Sequence, residues 1–487
     1  MALKKRFSLA CIMLLLNGCA LIHDEPPQVD QLPAQQAQLS QVIHLANSGW
    51  PQARWWEAYH DQQLSSLIVL GLANSPTFQA AKLRIQQSQS SVEVAQSTLG
   101  IQATGIAAQN TMRVTDRQTT WPYSISLPTD KRGPWYTLST VGVGADLNID
   151  LWGANRAGVA AAMGEQNAQL AQTAAIQLDL ASSIAQLYFS LQANYRREAL
   201  LVQQQAIAEF SLKAHQQRAA RGIEDQVNIA AAQSEWYSAQ QQHIAVQTAI
   251  MRDRENLRAL TGMNAQQALV IAPQPWPQLQ QSLPASLSFD LLACRPDLQA
   301  MSHTVQASLS RVEAAKAAFY PHLDIKAFWG YNALSIGDLF KSSFQQFNIL
   351  PGLYLPLFDG GRLNAALRST RTASNILIKQ YNQAVLDAVR DVAITSQQLN
   401  DLNQQVLLQQ QKVAAAQLTT DSVQAHYQRG LTSLYMAQEA KRATLTQQLL
   451  LVDLNAQQLS CDLLLIKALG GGYRAEQPAI LGMGSKP

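Results

Sequence analysis

The residues with the most chemistry to offer are histidines, cysteines and acids, and their spacing argues against catalysis. His215, His243, His303, His322 and His426 are scattered, with no HExxH and no paired spacing that would bring two imidazoles to one metal. They read as surface or packing residues. Gly470-Gly471-Gly472 follows no predicted strand, as a phosphate loop would need to, and reads as a helix terminator. No set of nucleophile, base and oxyanion donors assembles from what remains, so the chain reads as no enzyme, with no metal and no cofactor. Of the four cysteines, Cys294 and Cys461 lie too far apart in sequence to define a disulfide framework. They read as buried free thiols. The alternative is that they approach each other, because one starts a short helix and the other lies near the end of that helix's stacking partner.

The other two cysteines belong to the N-terminus. Lys4-Lys5-Arg6 followed by the apolar Phe7 to Leu16 has the form of a secretory leader. Its end, Leu16-Asn17-Gly18-Cys19, resembles a bacterial lipoprotein signal. That resemblance implies a signal peptide at 1–18, a mature chain beginning at an acylated Cys19, and the outer membrane as destination, since Ala20 and not an Asp follows. The alternative is an ordinary signal peptide with a chance cysteine. The formal charge of +3 falls to near zero once the three leader cations are removed. No basic stripe interleaved with aromatics points to nucleic acid. After the leader no run of about eighteen apolar residues reads as a membrane helix, and the Leu-rich tail is broken by Asp453, Asp462 and Lys467. A membrane crossing would then need strands closed into a barrel.

The elements that position these residues are long. Arg362 to Arg429 contains neither Gly nor Pro, and as one helix it runs about 100 Å. Its seam steps by four and three through Tyr381, Val385, Ala388, Val392, Leu399, Leu402, Val406, Val413, Ala416, Val423 and Tyr427. Thr395, Gln409 and Thr420 fill the remaining seam positions, completing a heptad pattern. Asn155 to Arg221 is a second long helical stretch, with Gly158 and Gly164 only near its start. Shorter helices are expected at Asp61 to Leu99, with a break at Pro76, and at Asp225 to Leu260. Together these two match the length of the long helix between them, so short helices stacked end to end can line a long one.

The plan occurs twice. Ser75-Pro76-Thr77-Phe78-Gln79-Ala80 returns as Arg295-Pro296-Asp297-Leu298-Gln299-Ala300, and Leu151-Trp152-Gly153-Ala154-Asn155-Arg156 returns as Leu357-Phe358-Asp359-Gly360-Gly361-Arg362. Arg221-Gly222 returns as Arg429-Gly430, and Ala259-Leu260-Thr261-Gly262 as Ala468-Leu469-Gly470-Gly471. The organisation is a leader (1–18), an irregular tether (19–60), a first repeat (61–263), a Pro-rich linker (264–288), a second repeat (289–471) and a tail (472–487). Each repeat carries two strands: Ile101 to Asn110 and Val141 to Leu151, then Leu323 to Tyr331 and Phe347 to Leu357. Period-two alternation is clearest from Val141, where Val143, Ala145, Leu147 and Ile149 oppose Gly142, Gly144, Asp146 and Asn148. Four strands cannot close a barrel, and an open edge in lipid leaves backbone groups unpaired. Other copies must complete the sheet, which makes the protein an oligomer with rotational symmetry.

Trp55-Trp56 with Asp61, Arg295-Pro296-Asp297-Leu298, Ala314-Ala315-Lys316-Ala317-Ala318-Phe319-Tyr320-Pro321, Leu355 to Arg362, and Tyr427-Gln428-Arg429-Gly430-Leu431 resemble the motifs of the outer-membrane efflux factors, the TolC-like channels, in their lipoprotein branch. The resemblance covers nearly the whole mature chain. It implies a mainly helical chain with a membrane β-barrel: a homotrimer sharing a 12-stranded barrel and a 12-helix tube. It also implies a periplasmic adaptor and an inner-membrane pump as partners, and a passive exit duct for drugs as function. A lipid-anchored coiled-coil scaffold or adhesin is the alternative, though it would need neither the strands nor the repeat. Asp421 lies nine residues before Gly430, a distance at which TolC-like chains carry an aperture acid. Three copies converging on an axis would repel one another or recruit a cation, filtering ions and restraining opening; otherwise Asp421 is a solvated acid on a helix back. The resemblance further implies adaptor docking at the two turns, Arg221-Gly222 and Arg429-Gly430.

Overall fold

In the computed structural model, which describes residues 22, 25–32, 53–113, 135–264, 266, 269–277 and 295–473, the helices come in matched pairs. Helices α1 (Gln62–Asn74) and α2 (Pro76–Ser97) precede strands β1 (Gln102–Arg113) and β2 (Trp135–Ile149), the long α3 (Ala154–Ala220) and α4 (Gln226–Leu260). The plan recurs as α5 (Pro296–Ala317), β3 (His322–Ala333), β4 (Gln345–Tyr354), α6 (Arg362–Gln428) and α7 (Leu434–Ala468). Helices α2 and α5 each have 22 residues, α3 and α6 each have 67, and α4 and α7 each have 35. From the long helices onward, counterparts lie 208 residues apart at every helix boundary: Ala154 and Arg362, Ala220 and Gln428, Gln226 and Leu434, Leu260 and Ala468. Upstream, Pro76 and Pro296 lie 220 apart, so the second strand pair with its loop is 12 residues shorter.

This register corrects two expected pairings: the match of Leu151–Arg156 to Leu357–Arg362 shifts by two residues, Gly153 (φ +81°) corresponding to Gly361 (φ +86°), and the helix-end glycine shifts by one. Gly262, with φ +68°, corresponds to Gly470, with φ +83°, and not to Gly471. Three successive glycines hid the shift, because each could end a helix. The other boundaries have local causes. Asp61 lies outside α1 as its N-cap, accepting from the backbone N–H groups of Gln63 and Leu64 at 2.9 and 3.0 Å. Asp225 and Ser433 cap α4 and α7 in the same way. Strand β2 begins at Trp135, six residues before the expected start, and ends at Ile149. Strand β4 ends at Tyr354, leaving Leu355 to Leu357 outside the ladder. There Asp359 caps α6, accepting from the backbone of Gly361 at 3.0 Å and Leu363 at 2.7 Å. The hydrogen bond from Leu363 is the main reason its carboxyl sits below the usual range.

The chain divides into two compact units. The first (Met1–Asp30, Gln86–Ala168, Ser302–Lys379) contains the antiparallel sheet, ordered β1-β2-β3-β4, and a small core of Val312, Phe319, Leu363 and Leu367. The second (Gln31–Ile85, Gln169–Met301, Gln380–Pro487) contains the main core. Trp55, Trp56 and Tyr59 pack there with Leu64, Ile68, Tyr188, Leu257 and Leu463. On α6, Tyr381, Val385, Ala388, Val392, Leu399 and Val406 are buried, as the heptad seam requires; each large apolar side chain so buried contributes about 1.5–3 kcal/mol. Its polar positions pair across the seam: Gln409 donates to the Gln447 carbonyl at 2.9 Å, and Thr420 to that of Ala440 at 2.9 Å.

Among the described residues one helix, α7, is long and apolar enough to cross a membrane, with a window of mean hydropathy 1.4. The expectation that no such run exists is therefore overturned on composition. Packing assigns α7 to the core instead. Val452, Leu459, Leu463 and Leu465 are buried, Asp453 pairs with Arg197 at 2.6 Å, and Asp462 accepts from Tyr59 at 2.5 Å. Cys461 is a buried free thiol, donating to the Thr395 carbonyl at 3.4 Å and pushed up to about 11 by burial. Cys294 lies outside the described residues, as does Cys19.

Candidate functional site: the hairpin tips and the sheet

Two helical hairpins, α3–α4 and α6–α7, end in the same backbone turn. Gly222 and Gly430 both have φ +73°. Their N–H groups donate to the carbonyls of Ala219 and Tyr427 at 2.8 and 2.9 Å. The following Ile223 and Leu431 donate to Arg218 and His426 at 3.0 and 2.9 Å. This is the Schellman stop, in which only glycine takes the left-handed position without steric cost. Arg221 and Arg429 are exposed beside the turns, and Ile223 and Leu431 are 64% and 70% exposed.

The side chains around the turns differ. At the first tip Glu224 is nearly enclosed, with 8% of its side chain exposed; its Oε1 lies 2.9 Å from His215 Nδ1 and its Oε2 3.5 Å from Arg218 Nε. His215 also meets the Tyr435 ring of α7 edge-on at 5.5 Å. At the second tip the position of Glu224 is taken by Thr432, and that of His215 by Val423. Asp421 is exposed and accepts from Gln417 Nε2 at 2.8 Å, one turn back on α6. Its neighbour Thr420 faces α7, which turns Asp421 away from that helix. Its counterpart on α3 is Lys213, whose ammonium bonds Glu209 at 2.6 Å, also one turn back. The two long helices thus carry opposite charges at equivalent heights.

The other histidines are separate. His243 lies 3.7 Å from Glu198, His303 beside Gln306, His322 stacked on Tyr354 at 5.3 Å, and His426 exposed at the second tip. Among the described residues no three metal-binding side chains converge.

Register sorts the sheet into two faces. Val143, Ala145, Leu147 and Ile149 of β2 stand opposite Trp329, Ala327, Ile325 and Leu323 of β3, which in turn face Phe347, Ile349, Pro351 and Leu353 of β4. The alternate rows carry Asp146 opposite Lys326, and Asn148 donating to Asp324 at 2.6 Å. Trp329, Phe347 and Leu353 are 53%, 69% and 66% exposed, so an apolar sheet face is open beside a polar one. Strands β1 and β4 each keep one edge without a partner among the described residues, and Pro351 sits in β4, the position a missing N–H tolerates best. Trp152 and Phe358 are 53% and 86% exposed. Trp152 stacks on Tyr320 at 4.8 Å and donates to the Pro321 carbonyl.

A family model described as outer membrane efflux protein matches residues 67–263 and 287–471. The chain belongs to the outer membrane efflux protein family. It is similar to the multidrug resistance outer membrane protein MdtP of Escherichia coli K12, 45% identical over 462 residues and 95% of each chain. To MdtQ of Escherichia coli O157:H7 it is 34% identical over 478 residues, 96% of this chain and 98% of the relative. Among solved structures it is similar to the outer membrane protein VceC of Vibrio cholerae, with TM-score 0.76 and 29% identity over 87% of this chain and all of that one. CmeC, the Campylobacter jejuni outer membrane channel, shares the fold at TM-score 0.79 and 18% identity, over 94% and 96%. The family is one of efflux proteins of the bacterial outer membrane and not of enzymes.

Two features of this efflux protein were not legible beforehand. Glu224 reads in sequence as one more acid at an exposed turn, and nothing marks it as enclosed. Residues 25–32 read as irregular tether, whereas in the structure they lie along α6: Val29 N–H donates to Asn375 Oδ1 at 3.1 Å and Leu32 N–H to Asn382 Oδ1 at 2.8 Å. The partners are more than 340 residues apart, and no local pattern connects them.

Proposed function

We propose that this efflux protein is the outer-membrane exit duct of a tripartite multidrug exporter, a homotrimer whose three sheets share one 12-stranded barrel and whose long and short helices form a 12-helix periplasmic tube. The carrying observation is the sheet whose two edge strands have no partner on one side among the described residues. Strand directions alternate and each copy supplies an even number, so β4 of one copy meets β1 of the next in antiparallel sense, and rotation closes the barrel without a leftover edge. The exposed apolar face then turns to lipid and the row of Asp146, Asn148, Asp324 and Lys326 to water. The names of the relatives, MdtP above all, support drugs as cargo.

A periplasmic adaptor docks on the tips at Arg221-Gly222 and Arg429-Gly430, and an inner-membrane pump supplies the energy. Asp421 faces the axis and forms the periplasmic aperture, and Cys19 carries the lipid anchor. Negative-stain images of detergent-purified protein test the assembly: three-fold tubes more than about 100 Å long are expected. Monomers, or particles without three-fold symmetry, overturn it. Drug susceptibility of an efflux-deficient strain carrying the gene with and without a cognate pump and adaptor tests the cargo; protection independent of the pump is the contrary result.

A further inference from the structure

Where the sheet passes into the helices, the ends of β2, β3 and β4 enclose a niche of about 500 Å³. That volume suits a drug-sized molecule. Register puts the niche on the polar side of the sheet, since Asn148 stands opposite Asp324, and His322, in the same row, opposite Tyr354. Two ring pairs line it. Trp152 lies 4.8 Å from Tyr320 with 23° between the ring planes, and His322 lies 5.3 Å from Tyr354 with 19° between them. The Trp152 indole N–H, donating to the Pro321 carbonyl at 2.8 Å, fixes the first pair. The Tyr354 ring lies across Gly352, where any Cβ would come within 2.8 Å of it, so glycine is what leaves room for the second. Trp152, Tyr320 and Tyr354 stay about half exposed, which leaves ring surface open to a guest.

The charge that the niche offers is positive. Its one acid, Asp150, exposes 11% of its side chain and is taken by Arg156, which pairs with it through Nε at 3.3 Å and donates its backbone N–H at 2.9 Å. Arg362 also lines the niche; it is exposed and makes no ion pair among the described residues. Asp359, the nearest acid along the chain, turns its carboxylate to the N–H groups of Gly361 and Leu363. Open aromatic surface beside an unpaired guanidinium recognises a planar aromatic molecule that carries an acid group. The rings cover its apolar face, and the guanidinium takes a carboxylate or sulfonate through two parallel hydrogen bonds. A cation of the same shape would meet Arg362 with no acid free to offset it.

We propose that this niche is a binding site for planar aromatic anions, which lie against the open faces of Trp152 and Tyr354 and place their acid group on Arg362. Its use as a resting place for anionic cargo rests on the reading of the protein as an exit duct; the site, built from residues of one copy, does not.

The test is calorimetric titration of the full protein, extracted from membranes in detergent, with naphthoate, and with naphthylmethylammonium and cyclohexanecarboxylate as references. Saturable binding of one naphthoate per copy is expected, with both references much weaker. Arg362→Gln should weaken naphthoate about tenfold or more, and Arg362→Lys should recover part of the loss. Trp152→Leu should weaken it about threefold or more. Lys326→Gln removes a cation from the same polar face but outside the niche, and should leave affinity unchanged. Unsaturable uptake, equal binding of the ammonium, or an equal loss in Lys326→Gln overturns the site. A phospholipid that copurifies at one per copy and is lost in Arg362→Gln gives the niche to lipid and overturns it too. Negative-stain images of the same samples separate the two readings: naphthoate bound to particles without three-fold symmetry upholds the site and refutes the resting place along with the duct.

Discussion

At the first tip Gly222 turns α3 into α4, and at the second Gly430 turns α6 into α7, with the same φ and the same pair of closing hydrogen bonds. Around these equal backbones the first tip encloses Glu224 between His215 and Arg218, whereas the second puts Thr432 and Val423 in those places. One turn further in, Lys213 stands where the other helix has Asp421. The repeat therefore constrains what the chain does and leaves free what each tip displays. Backbone geometry is set by glycine sterics and helix length, which both halves need; charge at an exposed turn costs little to change. The two turns thus share one backbone shape and present different side-chain chemistry.

The largest expected contrast is functional. Asp421→Ala should raise leak conductance several-fold in planar bilayers and reduce cation preference, while Lys213→Ala leaves both unchanged. Equal behaviour of the two variants, or unchanged conductance and selectivity in Asp421→Ala, removes the acid from the aperture. Next, Gly222→Val and Gly430→Val should each cost about 2 kcal/mol of local stability, equally at both tips. Hydrogen exchange of the turn amides checks this, and a marked inequality would mean that the two turns are not held alike. Glu224→Ala should loosen the first tip by about 1–2 kcal/mol, because the enclosed carboxylate lying against His215 and Arg218 is lost. Thr432→Ala should change the second tip by less than about 0.5 kcal/mol; the reverse ranking would break the comparison.

The smallest effect serves as a control away from both tips. Burial pushes the Glu25 carboxyl up, but hydrogen bonds from Arg371 and Lys316 and their charges outweigh it and hold the carboxyl below its ordinary value. A depressed carboxylate contributes stability above its unfolded value and loses it as pH falls through the folded one. Thermal melts of wild type should therefore drop below the usual glutamate range more steeply than those of Glu25→Gln, and parallel curves would deny that the ion pairs with Arg371 and Lys316 stabilise the fold.

Much of the framework could be read without the structure because it follows from short-range rules. Heptad steps from Tyr381 to Val406 placed one face of α6, Asp225 and Gly222 bounded α4 and α3, and alternation from Val141 gave β2 its two faces. Where a local rule was degenerate the reading slipped: three glycines after Leu469 concealed a one-residue register shift, and the apolar run of α7 meets the length and composition of a membrane helix although it packs in a core. Ends of strands slipped too, since β2 extends to Trp135 only because β1 offers a partner there.

The amino-acid sequence by itself thus determined the repeat, the helix lengths, the alternating strands and the glycine stops, all of which arise from interactions within a few residues of chain. Only the tertiary structure decided that Glu224 is enclosed, that Asp421 turns away from α7, and that Glu25 closes on Arg371 across 346 residues of sequence. Those pairings depend on which helices become neighbours, and no periodicity along the chain records that.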